Sequence, residues 1–252
     1  METRSRSWVA TAGLAVACVG LLVEFLSGFG YRHGWWGLRM ALRYLLRYGF
    51  FVAAGGVVLS LAGLLHARIA KLRGGMLGAL GVVAGLVPAL MVFHQYRLAR
   101  SVPPINDIAT DVVNPPGYVT AATNEFWKDK DKDISFPAKW ADTVRQAYPD
   151  LAPLVLPLPA GKAFAAVQQT AAEMSGWVIT GVDAAAGRIE ATATTRWFGF
   201  KDDVVIRVAP RGADSAVVDM RSKSRVGRSD VGANAARIRT YWAALRKAAA
   251  RQ

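Results

Sequence analysis

Through the first hundred residues the apolar side chains come in three long blocks. After residue 160 they come in short runs that switch between helix and strand periods. The blocks run from about Trp8 to Phe29, Tyr48 to Leu65 and Met76 to Phe93. A spanning helix needs roughly 17–25 mostly apolar residues, so each block predicts a transmembrane helix and residues 1–100 read as a three-helix membrane anchor. The connections agree. His66–Gly75 is short and carries Arg68, Lys71 and Arg73. Tyr31–Arg47 is longer and holds Trp35, Trp36 and Tyr44, which with Tyr48 suit the headgroup level. Leu38, Leu42, Leu45 and Leu46 recur there at helical spacing, with Arg39, Arg43 and Arg47 on another stripe, which predicts a short interfacial amphipathic helix. A basic loop with no special role is the plain alternative.

Residues 101–156 are punctuated by prolines and predict an extended arm, with Trp127, Trp140 and Tyr148 packing it onto the C-terminal domain. The charge alternation Lys128–Asp133 reads as a solvated loop. Residues 157–252 form the domain. Phe164, Val167, Ala171 and Met174 mark an amphipathic helix. Four runs come next, WVITGVD, RIEATATTRWF, FKDDVVIRVAP and SAVVDMRSKSRV, separated by turn residues, and they predict antiparallel strands. Ser229 is placed to cap a closing helix whose buried stripe is Val231, Ala235, Ile238, Trp242 and Leu245. The expected architecture is α+β: after the anchor, a two-layer α-β-β-β-β-α domain with a four-stranded antiparallel sheet and two helices.

Charge divides the chain again. The net charge is +13, with 11 Lys/Arg against two acids in residues 1–100, 11 against 15 in residues 101–220, and nine against one in residues 221–252. The only cysteine is Cys18, and His33, His66 and His94 all precede residue 101. The soluble part therefore lacks both residue types, which removes most metal and nucleophile chemistry; no metal and no cofactor is expected, and no P-loop or dinucleotide fingerprint is present. Ala15-Val16-Ala17-Cys18 resembles a lipoprotein cleavage box, but the apolar run continues through Val23, so an uncleaved first span is expected. Three spans put the N-terminus and the basic turn on one side, with Arg4, Arg6, Arg68, Lys71 and Arg73, and Arg32, Arg39, Arg43, Arg47, Arg97 and Arg100 on the other. The compact basic turn favours an N-terminus inside a cytoplasmic (inner) membrane and an extracytoplasmic domain. Glu24 lies within the first span, with Arg47, His94 and Arg97 toward the same surface as ion-pair candidates. Gly74-x-x-x-Gly78 and Gly81-x-x-x-Gly85 permit close helix packing.

Strand alternation gives the candidate site. With the helices over the apolar face, the other face gathers Arg196, Arg207, Arg221, Lys223 and Arg225, and Arg228-Ser229 leads from it to the last helix. A helix N-terminus and arginines suit a phosphate or carboxylate. In the competing reading these cations pair with Glu190, Asp203 or Asp219 across strands, or are covered by residues 101–156. Trp197-Phe198-Gly199-Phe200 sets three aromatics at a hairpin tip, for core packing or for a bilayer or ligand.

TRWFGFKDDVVIRV and RSKSRVGRSDVGANAARIR, with PPINDIATD at Pro103–Asp111, resemble the bacterial family termed domain of unknown function 1499. The resemblance covers about residues 101–248. Some relatives carry a lipoprotein signal in place of the anchor, which implies the cell envelope; the family brings no catalytic residues. The function expected is a membrane-anchored envelope protein without catalytic residues, in contact with membrane lipids and binding an anionic lipid, glycan or protein partner. The alternative is an envelope enzyme that uses Asp202, Asp203 or Asp219 beside Arg221 on an anionic substrate, although Asp202 and Asp203 face opposite ways on a strand. Nucleic acid is not an expected partner, given the anchor and the acidic middle of the chain.

Overall fold

The computed structural model describes residues 5–129 and 132–251. Arg4, counted in the side-to-side charge comparison, and Lys130 and Asp131, part of the charge alternation, lie outside the described residues. The chain forms two units, Met1–Arg97 with Trp197–Gly199, and Leu98–Arg196 with Phe200–Gln252.

In the first unit, α1 spans Trp8–Arg32, α2 Arg47–Ile69 and α3 Gly75–Ser101. A seven-residue π-helix, Met40–Leu46, runs directly into α2. The interfacial helix expected over this stretch is therefore not a separate element: it is the beginning of the second span, Met40–Ile69. All three helices are long and apolar enough to cross a membrane.

Their packing inverts the order of a water-soluble bundle. α1 buries Ala10, Gly13, Ala17, Gly20, Glu24 and Ser27, and α2 buries Gly49, Ala53, Gly56, Ser60, Gly63 and Ala67, each series at steps of three and four. Running antiparallel, Gly63 closes on Ala10, Gly13 on Ser60, Gly56 on Ala17, Gly20 on Ala53 and Gly49 on Glu24. Gly81 of α3 closes on Ser60 and Leu14. Leu22, Phe25, Val58, Leu61, Val83 and Leu90 point outward. Lipid is as apolar as leucine, so large side chains gain nothing by turning inward, and small ones let the backbones approach. At one end Ser7 caps α1 by accepting from Ala10 N and shares a 3.0 Å hydrogen bond with His66 Nδ1. Glu24 is buried in the seam and Arg47, His94 and Arg97 are exposed; Glu24 Oε1 has no hydrogen-bond partner, so the anticipated ion pair is not formed among the described residues. Trp197, grouped with this unit, donates from Nε1 to Phe25 O at 3.1 Å, and Phe198 is buried.

The second unit is built on an antiparallel sheet of six strands, not four: β1 Asp107–Ala109, β2 Leu154–Leu156, β3 Trp177–Asp183, β4 Arg188–Thr194, β5 Lys201–Pro210 and β6 Ala216–Ser224. The order is β1-β6-β5-β4-β3, and β2 also pairs with β6. β1 takes the far half of β6 (Ala109 opposite Arg221) and β2 the near half (Leu154 opposite Val218). The two extra strands come from the proline-punctuated arm. At three residues each they show no alternation for a sequence reading to find.

Two helices, α5 Ala160–Glu173 and α6 Ala233–Ala249, cover one face. Ile189, Ala191, Val204, Ile206, Val218 and Met220 from alternate strand positions meet Val167, Ala171, Ile238, Tyr241, Trp242 and Leu245 in one core. Tyr241 stacks on Trp177, with ring centroids 5.4 Å apart, and its hydroxyl donates to Val167 O. A short helix in the arm, α4 Ala141–Ala147, adds Val144 to the same core. Behind the sheet lies a smaller cluster, Tyr118, Ala121 and Val205 with Ile134, so this face is closed by the arm. The unit therefore has a third layer beyond the two expected.

Candidate functional site

β6 carries Asp219, Arg221 and Lys223 on the side away from the helices, and Val218, Met220, Ser222 and Ser224 on the other, as a period of two requires. In register across β5, Asp219 faces Arg207, Arg221 faces Val205 and Lys223 faces Asp203. The strand pairing thus brings Arg207, Arg221, Lys223 and Arg225 together behind the sheet, and the arm supplies what answers them.

Arg221 is 2 % exposed. Its Nε donates to Asp107 Oδ1 at 2.9 Å and its Nη2 to Asp107 Oδ2 at 2.7 Å, a two-pronged pair. Its remaining donors reach Pro116 O and Ile134 O, and the rings of Tyr118 and Phe136 flank the guanidinium at 4.8 and 5.5 Å. Lys223 Nζ donates to the same Asp107 Oδ2 at 3.0 Å. One carboxylate thus holds two buried cations. Asp133 stands near both; hydrogen bonds from Ser135 hold its carboxyl below the usual range, with smaller help from Lys223 and Arg221.

Arg225 makes a second two-pronged pair, with Asp203, at 2.9 and 2.7 Å. Asp203 also accepts from Trp127 Nε1 at 2.6 Å and from Thr192 Oγ1 at 3.1 Å. Arg207 donates to Asp219 Oδ2 at 2.9 Å, to Asp111 Oδ2 at 3.2 Å and to Asn114 O. Glu190, 1 % exposed, accepts three backbone N–H bonds from the arm, at Val119, Thr120 and Ala121. Tyr118 donates its hydroxyl to Asp203 O, and burial raises its phenol well above the usual range. The arm is stapled to the sheet by carboxylates running in both directions, Asp107 and Asp111 from the arm and Glu190 and Asp203 from the strands, while Asp219 ties β6 to β5 through Arg207.

The start of α6 is also satisfied from within. The expected cap, Ser229, accepts from Val231 N, outside the helix; the helix begins at Ala233 after Gly232, in a left-handed conformation at φ 79°. Asp230 supplies the negative charge there, accepting from Gly232 N at 2.8 Å and Asn234 N at 2.9 Å. Burial pushes the Asp230 carboxyl up against those bonds. Val231, expected in the buried stripe, precedes the helix at φ 54°, an uncommon conformation for a β-branched side chain. Beside it Asn234, fully buried, joins the hydroxyls of Ser222 and Ser224 to Asn106 O, and Arg237 bonds Asn234, Ser222 and Asp202.

Of the seven residues expected to hold an anion, Arg207, Arg221, Lys223 and Arg225 lie together, and their bonds are made to the protein's own carboxylates and carbonyls and to the Thr192 hydroxyl. Arg196 lies beyond the end of β4, exposed, and Arg228 is exposed after β6; Ser229 turns the loop between them and α6. Arg225 pairs with Asp203, one of the carboxylates named from sequence; Arg221 pairs with Asp107, which was not. The signal for Asp107 was slight: an acid between Ile105 and Ile108 in an apolar, proline-flanked stretch. Among the described residues no group of three or more His, Cys, Asp and Glu side chains is arranged to hold a metal ion.

The architecture defines a class: an α+β domain whose sheet is backed by helices and faced by a carboxylate-stapled arm, joined to three membrane-capable helices. A family model described as "Protein of unknown function (DUF1499)" matches residues 107–245. That is more than half of the chain, and the protein belongs to this family. No curated protein and no solved structure matches it.

Proposed function

We propose that the protein is a membrane-anchored module of the cell envelope that binds an anionic partner and does no chemistry of its own, with its domain on the extracytoplasmic side of the cytoplasmic membrane. The observation that carries this is the contrast between the cations behind the sheet and two exposed cations that stand together at its end. Those behind the sheet are consumed by internal carboxylates. Lys201 and Arg228, by contrast, are exposed and make no ion pair among the described residues. Both stand at one end of the sheet. Arg225 N donates to Lys201 O there, and Asn106 donates to Gly227 O. Asn106 immediately precedes β1, so this is also the end at which the chain enters the domain.

Native mass spectrometry of the full-length protein, released gently from its own membrane, tests the reading. An anionic species carried by the wild type and lost from Lys201→Glu/Arg228→Glu, at an unchanged melting temperature, supports it. The same adducts on both proteins reject it.

One observation favours the enzyme reading. Asp219 is buried, its Oδ1 has no hydrogen-bond partner, and burial pushes its carboxyl up despite Arg207. A general acid needs such a carboxyl but also a path for substrate to reach it, and Asp219 is 4 % exposed. That burial is why binding ranks first.

A further inference from the structure

The first unit carries a charge pattern that its fold does not use. Within residues 5–97 Glu24 is the one acid, and it is buried in the α1–α2 seam. Arg39, Arg43 and Arg47 are exposed at intervals of four, just before the π-helix, within it and at the first residue of α2. None of the three has an ion-pair or hydrogen-bond partner among the described residues. The contrast with the domain is sharp: there each buried cation was met by a carboxylate drawn from elsewhere in the chain, whereas here the chain offers none.

Aromatic residues are interleaved with these arginines along the chain. Trp35, Tyr44 and Tyr48 are exposed, and the rings of Tyr44 and Tyr48 stack at 6.4 Å. Rings with one apolar and one polar end settle at the level of lipid headgroups, which fixes the depth of the arginines on the same turns. Seven residues of π-helix are long for a geometry that mostly occurs as single turns and recurs at functional sites.

We propose that Arg39, Arg43 and Arg47 form a binding site for the phosphodiester headgroup of an anionic phospholipid. The guanidinium fork matches phosphate oxygens in pairs, and a site at the bilayer surface needs no cavity, because the acyl chains lie along the exposed apolar side of α2, where Phe51 and Val58 face outward. This site is independent of the domain site proposed above; it can hold when that one fails.

The test places the full-length protein in nanodiscs of phosphatidylcholine and phosphatidylglycerol, then counts retained lipids by native mass spectrometry. The wild type is expected to retain phosphatidylglycerol above its bulk share. Arg39→Gln/Arg43→Gln/Arg47→Gln should weaken that retention by about fivefold per arginine removed. The charge-matched Arg→Lys triple should keep only part of it, because an ammonium cannot make the paired bonds of a guanidinium, and Arg68→Gln/Arg73→Gln, at the other end of α2, should not alter it. Retention by the wild type at the bulk ratio overturns the proposal without recourse to any variant. So does an equal loss in the two glutamine variants, which would mark a response to total charge.

Discussion

Asp107 and Asp219 are both buried aspartates beside arginines, and their environments assign them opposite effects. Asp107 is fully buried and takes three charge-assisted hydrogen bonds from two cations. Removing one member of such a group strands the others in low dielectric, so Asp107→Asn should cost about 3–5 kcal/mol. The triple variant Asp107→Leu/Arg221→Met/Lys223→Met should be much less destabilised than Asp107→Asn alone, because a buried ionic group taken whole gains little over apolar side chains. Denaturant melts of the full-length protein in detergent would show both effects; a triple variant as unstable as the single one would mean that the cations pack as well as pair. Asp219 keeps one oxygen without a partner, and its carboxyl is raised above its ordinary value of 3.8 by burial. A raised carboxyl binds excess protons in the folded state. Its contribution to stability is therefore present in full below its unfolded pKa and is lost as pH rises through the folded one. Asp219→Asn should cost about 1 kcal/mol or less at neutral pH, and the wild type should gain on it as the medium is acidified. Equal pH slopes for the two proteins would remove Asp219 from the account. A period of two was enough to place Arg207, Arg221, Lys223 and Arg225 on one face. It could not name Asp107, which lies 114 residues before Arg221 and reaches it only through strand pairing that no local pattern encodes.

Among the elements, the long apolar spans were legible because a bilayer imposes a minimum length on them. The finer order of the anchor was not legible in the same way. Apolar periodicity, the usual guide, is uninformative when the outer face is as hydrophobic as the inner, and the information lies in the small residues instead. The two GxxxG spacings noted from sequence belong to α3 and its lead-in, and Gly78, Gly81 and Gly85 do close on Leu64, Ser60 and Ala53 of α2, but the closest approaches of backbone to backbone join α1 to α2. A Cβ added at Gly20 would lie 2.3 Å from the backbone nitrogen of Ala53, while one at Gly55 meets nothing within 4 Å. Gly20→Ala should therefore force the helices apart at a cost of about 1–3 kcal/mol, despite alanine's better helix propensity. Gly55→Ala, in the same bundle, should leave the melting temperature unchanged or slightly higher. Equal behaviour of the two variants in detergent melts would show that the seam does not hold the anchor together. In the domain, β3 to β6 and the two covering helices arise from alternation and helical spacing. β1 and β2 are too short to alternate and are defined by their partner, β6, which has three times their length and offers most of its outer edge to the arm.

At the scale of the whole molecule the open quantity is direction across the membrane, and the charge count by itself is close to balanced. On the side of the N-terminus, Arg6, Arg68, Lys71 and Arg73 stand close in space as well as in sequence: Ser7 N donates to Arg73 O and Arg73 N to Ser5 O, tying the chain start to the turn between α2 and α3. On the other side are Arg32, Arg39, Arg43, Arg47, Arg97 and Arg100. A simple tally of basic residues would put that second side in the cytoplasm. The reverse orientation is favoured because a short, dense basic turn resists translocation as one block. The domain also has no cysteine to protect, which is compatible with an oxidising exterior without requiring one. Two single-cysteine proteins in a Cys18→Ser background separate these readings. Asp214→Cys lies in the exposed turn between β5 and β6, and Ala70→Cys in the exposed turn after α2. With the domain outside, a membrane-impermeant maleimide should label Asp214→Cys in intact cells and reach Ala70→Cys only after permeabilisation. The opposite labelling would put the domain in the cytoplasm, and the Lys201–Arg228 end of the sheet would then meet cytoplasmic anions. The arginine row at the start of the second span keeps its proposed ligand under either result, since it would face one leaflet or the other of the same membrane.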